Sequence, residues 1–142
     1  MSPDPDSLRS VTLTRTGPSR YQAANPRGGT LQVGGGADSD FTPVELLLVA
    51  VAGCSAVDVD LLTSRLAEPE EFDLAASGRK VRDEHGNHLD EVQVTFTVRF
   101  PQGTDGDRAR ERLPDAVARS RDRLCTVSRT VALPTPVTFT TT

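Results

Sequence analysis

Thr42-Pro43-Val44-Glu45-Leu46-Leu47-Leu48-Val49-Ala50-Val51-Ala52-Gly53-Cys54-Ser55-Ala56-Val57-Asp58-Val59 reads as the start and body of one long helix. Thr42 suits the N-cap, Pro43 the first helical position and Glu45 the third, which together make a capping box. The spacing predicts a helix to about Arg65, ending before Pro69. Its first half is apolar all round, so burial on every side is expected. Its middle, Ala50 to Ala56, is built mostly of small residues that let a neighbouring backbone come close. The apolar run Leu46–Val57 is about a dozen residues, short of the roughly 20 that a spanning helix needs, so no membrane partner is expected.

Upstream of this helix, Leu8–Thr16 alternates, with Val11 and Leu13 on one side and Thr12 and Thr14 on the other. That is the pattern of a half-buried strand. Gly17 and Pro18 turn the chain. Short strands around Tyr21–Ala24 and Thr30–Val33 follow, separated by an Asn25–Gly29 turn, which makes a small antiparallel meander. Downstream, Phe72, Leu74 and Ala76 alternate with polar neighbours. Val92, Val94, Phe96, Val98 and Phe100 give the most regular period-two run in the chain, and Asp83–Asn87 reads as the hairpin turn between the two. Ala109, Leu113, Val117 and Leu124 lie at helical spacing, with Pro114 inside the pattern, so that helix either kinks at Pro114 or begins near it. A short helical turn around Cys125–Val131 and a last strand with Val137 and Phe139 inward complete the reading. Strands, a buried helix, a hairpin, an amphipathic helix and a strand add up to an α+β fold.

The 142 residues suffice for one ordinary domain. Residues 1–7 are polar, with Pro3, Pro5, Asp4 and Asp6, and are expected to form a disordered tail; residues 8–142 are expected to form a single domain. That start carries no apolar segment of the kind a secretory leader needs, so a cytoplasmic setting is expected. Five Phe, one Tyr and no Trp make a thin core. Such a core gains from burial against a second copy, so a homo-oligomer is expected. The formal charge of −4 argues against a sequence-independent grip on nucleic acid. The Arg-rich stretch Arg108–Arg129 is interrupted by Glu111, Asp115 and Asp122, which reads as a solvated, ion-paired helix face.

The side chains with reactive chemistry are the two thiols, Cys54 and Cys125. Cys54 sits about three turns into the long helix. It is either a small packed side chain or a nucleophile, and the second role needs a nearby cation to stabilise the thiolate. Asp58, one turn later on the same face, raises that thiol's pKa unless an Arg neutralises it. Cys125 opens a short helix, where unpaired N–H groups lower a thiol pKa. The two are too far apart in sequence for a zinc knuckle or a CxxC motif. His85 and His88 lie at a hairpin tip with no second ligand pair, so neither a metal nor another cofactor is expected. Phosphate-loop, nucleophile-elbow and dinucleotide signatures are absent from the sequence.

The stretch Pro43–Val59, with Ala52-Gly53-Cys54-Ser55-Ala56 at its centre, closely resembles the central helix of the OsmC/Ohr family, the osmotically induced and organic hydroperoxide resistance proteins. Arg123-Leu124-Cys125-Thr126-Val127-Ser128 resembles the segment that holds that family's second cysteine. The order of strands and helices is similar over nearly the whole chain after the tail. The resemblance implies antiparallel sheets wrapped around a long buried central helix, in an intertwined homodimer with its sites at the interface. It implies a thiol-dependent peroxidase for organic hydroperoxides or hydrogen peroxide, with Cys54 peroxidatic and Cys125 resolving. A dithiol donor, a lipoylated protein or thioredoxin, would then reduce the disulfide. The family's activating Arg comes from the N-terminal meander, where Arg20 falls; an exposed strand Arg is the other reading of that residue. In one respect the chain departs from the pattern. The strongest peroxidases carry Glu directly after the helix-starting Pro, whereas this chain has Val44 there and Glu45 next, turned by about 100°. The pattern is thus nearer the broad OsmC-like branch. The alternative function is a non-enzymatic stress protein that binds a small apolar or thiol ligand in the interface cleft.

Overall fold

The computed structural model describes residues 4–142. Within the expected tail, Pro5–Ser7 form a single 3-10 turn capped by the Asp4 side chain, and residues 1–3 lie outside the described residues. The chain divides into two compact units, residues 1–47 and 48–142.

The first unit is the meander. Strands β1 (Thr12–Gly17), β2 (Arg20–Ala24) and β3 (Thr30–Val33) pair antiparallel in sequence order. In the β2–β3 turn Asn25 Oδ1 accepts from the backbone N–H groups of Arg27 and Gly29, each at 3.0 Å. Val33 is buried and bridges Phe41, and Gly34 N donates to Phe41 O at 2.9 Å. This closes the loop that leads into the long helix. At the helix start the capping box forms as the sequence predicts: Glu45 N donates to Thr42 Oγ1 (3.2 Å) and Thr42 N to Glu45 Oε1 (2.8 Å). Hydrogen bonding to the Thr42 backbone N–H first, and to the Thr42 side chain second, holds the Glu45 carboxyl below its usual range.

Helix α1 runs Pro43–Ser64, and all but its first turn belongs to the second unit. It buries Val51, Ser55, Val59 and Thr63, a stripe with a four-residue period. Val49, Val57 and Leu61 remain more than half exposed, so the all-round burial expected of this helix is met on one face within a single chain. The helix is longer than its apolar run, and by length and composition alone it could cross a membrane. Its buried stripe, and the two carboxylates Asp58 and Asp60 elsewhere along the helix, are features of a core helix.

Strands β4 (Glu71–Asp83) and β5 (Gly86–Arg99) form a long antiparallel hairpin, turning at Glu84 and His85. Phe72, Leu74 and Ala76 lie opposite Val98, Phe96 and Val94. Phe72 and Phe96 meet edge to face, their ring centroids 6.2 Å apart, an arrangement worth about 1 kcal/mol beyond burial. The pairing slips by one residue between Ser77 and Arg79, where Glu91 takes a positive φ of 55°. At that bulge a Cβ on Gly78 would lie 3.2 Å from a Leu89 methyl, so glycine suits the close approach.

Helix α2 (Thr104–Arg119) continues through Pro114, so it does not begin there. It buries Gly106, Ala109 and Ala116. Residues Ser120–Leu124 then widen into a π-helical turn, closed by Cys125 N donating to Ser120 O at 2.9 Å. Helix α3 (Thr126–Ala132) starts at Cys125, in the place expected. The expected last strand does not form among the described residues. Val137 and Phe139 are 73% and 90% exposed in an irregular segment, because an alternating segment becomes a strand only when another strand pairs with it.

Candidate thiol site

Cys54 lies on α1, one residue before the buried Ser55 and one turn before Asp58. Cys125 reaches the same place from the opposite direction in sequence. The π-turn after α2 ends there, and Cys125 becomes the N-cap of α3 with extended backbone (φ −76°, ψ 103°). Sγ of Cys54, Sγ of Cys125 and a carboxylate oxygen of Asp58 all lie within 4.8 Å of one another. Both cysteines are free thiols; Cys54 is half-buried and Cys125 has no exposed surface.

Three serines surround the sulfurs. Ser128 N donates to Cys125 Sγ at 3.3 Å, and Ser128 Oγ stands 3.2 Å from the same sulfur. Ser120, fully buried, donates from Oγ to Asp58 Oδ2 at 2.9 Å and meets Ser55 Oγ at 3.0 Å. Ser128 was legible as the third residue after a capping Cys125, whereas nothing in the sequence marked Ser120.

The two thiols move in opposite directions. Burial pushes Cys54 up; a hydrogen bond from the Val127 backbone opposes this, and Cys125 and Asp58 add to the rise. Burial also pushes Cys125 up, but hydrogen bonds from Ser128 Oγ and N–H, with Cys54 and Ser55, outweigh it and leave this thiol below its usual value. Within one chain Cys125 is therefore the more acidic of the two thiols and Cys54 the less acidic.

A cavity of about 360 Å³ adjoins this cluster, with Val51, Val94, Phe96 and Val117 on its apolar wall and Ser55 and Ser128 on its polar one. Arg20 belongs to the first unit. Its guanidinium pairs with Asp38 and Asp40, each at 3.4 Å, and its side chain is 57% exposed. His88 contacts Asp83 and His85 contacts Glu84, as befits a polar hairpin tip.

The family model for OsmC-like proteins matches residues 35–140. This chain belongs to the OsmC-like family. An uncharacterized protein of Mycobacterium tuberculosis is 34% identical to this OsmC-like chain over 132 residues, which is 92% of this chain and 93% of the relative. An OsmC-like protein of unknown function from Vibrio cholerae superposes with a TM-score of 0.73 at 12% identity, covering 87% of this chain and 93% of that one. The organic hydroperoxide resistance protein OhrB of Bacillus subtilis gives a TM-score of 0.53 at 14% identity, covering 87% and 90%. These structural likenesses establish the fold: α+β, with two antiparallel sheets and three α-helices.

Proposed function

We propose that this OsmC-like protein is a thiol-dependent peroxidase for small organic hydroperoxides or hydrogen peroxide. The observation that carries the proposal is the approach of the two sulfurs to within 4.8 Å, although 70 residues separate Cys54 from Cys125 in sequence. A fold relative is named for organic hydroperoxide resistance, which agrees with this chemistry.

Cys54, the more accessible sulfur, gives its proton to water and attacks the distal peroxide oxygen as the thiolate. The O–O bond breaks, Cys54 becomes a sulfenic acid, and the leaving alkoxide takes a proton from water to give the alcohol. The Cys125 thiol then condenses with the sulfenic acid, releasing water and forming a disulfide. A dithiol donor, a lipoylated protein or thioredoxin, supplies the two electrons that restore both thiols. Arg20 is assigned as the activating cation by the family resemblance. A homodimer in the cytoplasm completes the reading, supported by the apolar side chains that α1 leaves exposed.

The test is turnover of cumene hydroperoxide with a dithiol donor. Cys54→Ser is expected to abolish it and Cys125→Ser to stop it after one turnover, with Arg20→Ala slowing it. Full activity in Cys54→Ser overturns the proposal.

The raised Cys54 thiol favours a second reading, in which the cavity binds a small apolar or thiol ligand without turnover. Saturable ligand binding by a chain that leaves peroxide untouched would decide for it.

A further inference from the structure

Asp58 takes no part in the peroxide chemistry, yet it stands with both sulfurs. Deprotonated, Cys54, Cys125 and Asp58 are three anionic donors whose ligand atoms lie within 4.8 Å of one another. Among the described residues no lysine or arginine forms an ion pair with Asp58.

Tetrahedral zinc, with Zn–S of about 2.3 Å and Zn–O of about 2.0 Å, separates two sulfurs by about 3.8 Å and a sulfur from an oxygen by about 3.5 Å. Both separations fall within the 4.8 Å that bounds the three ligand atoms, so the cluster is of a size to close on one ion. Its surroundings also suit ligands held for a metal. The buried Ser120 hydroxyl fixes the Asp58 carboxylate at 2.9 Å, and Ser128 N fixes Cys125 Sγ at 3.3 Å. Outer contacts of this kind orient ligands.

We propose that reduced Cys54, Cys125 and Asp58 bind one thiophilic divalent cation, with water in the fourth position. Two thiolates select zinc or cadmium over magnesium or calcium. Binding displaces the thiol protons and occupies both sulfurs, so the dithiol is shielded from peroxide while the ion is bound. The proposal stands whether or not the chain turns over peroxide, because binding is read without an activity.

The test uses the full chain, reduced and freed of metal, titrated anaerobically with Co2+. The expected result is saturation at one equivalent, with thiolate-to-cobalt charge-transfer absorbance in the near ultraviolet and the intense visible bands of tetrahedral cobalt. Added Zn2+ should erase both. Ser120→Ala should weaken binding by about 10–100-fold, and Asp58→Asn by more, while both variants keep the wild-type circular dichroism. A folded wild-type chain that leaves cobalt with its pale octahedral spectrum overturns the proposal. So does a folded Asp58→Asn variant that binds as tightly as wild type.

Discussion

Cys54 and Cys125 start as chemically equal thiols, and their surroundings separate them. Cys125 caps a helix, accepts from Ser128 N and pairs with Ser128 Oγ, whereas Cys54 shares its neighbourhood with the Asp58 charge. Removing that charge while keeping the acceptor for Ser120 isolates its effect. Asp58→Asn is expected to lower the Cys54 pKa, because an anion beside a thiol disfavours the thiolate. Iodoacetamide labelling of the Cys54 peptide, followed by mass spectrometry across a pH series, should show the midpoint moving to lower pH. An unmoved midpoint would remove Asp58 from the electrostatics of the site. At this scale the sequence named both sulfurs and the adverse Asp58, since helical spacing places residues four apart on one face. It could not show that Ser120 joins Asp58 to Ser55, because that contact depends on how the π-turn after α2 packs against α1.

At the scale of elements, the best-specified feature is the entry to α1. The reciprocal Thr42–Glu45 contacts satisfy two backbone donors that the helix leaves unpaired. Thr42→Ala is expected to cost about 1 kcal/mol of stability, measured by urea unfolding. The box also sets a pH dependence. The Glu45 carboxyl is held below its usual pKa of about 4.3, so its contribution is fully present above that value and is lost as pH falls through the lower folded value. The penalty of Glu45→Gln should therefore shrink in acid, and a penalty independent of pH would count against the ionised carboxylate. The central helix and the paired strands could be read from local chemistry: caps and turns announce themselves in a few residues, and alternation marks a half-buried strand. The far half of the hairpin was harder to see. Arg79, Lys80 and Arg82 hide the alternation around Val81, and pairing with Asn87–Asp90 is what keeps that segment extended.

For the whole molecule, the main anomaly is the apolar surface that a single chain leaves uncovered. Val57 is 61% exposed and Leu61 57% exposed, one turn apart on α1, and Val137 and Phe139 project from a segment with no strand partner. Isolated exposed apolar residues are ordinary, but an apolar row along the central helix implies a covering surface. A second copy offers the same row in return, as a two-fold interface requires. The chain should therefore sediment at twice its mass of 15.2 kDa. Leu61→Glu places a charge in that contact, where an unpaired charge cannot be buried without a cost of several kcal/mol. It should shift the species to monomer and lower the unfolding temperature, while Glu68→Gln, at an exposed position beyond the helix end, should leave both unchanged. A Leu61→Glu chain that remains dimeric would move the interface away from this face of α1, and the uncovered row would then need a different partner.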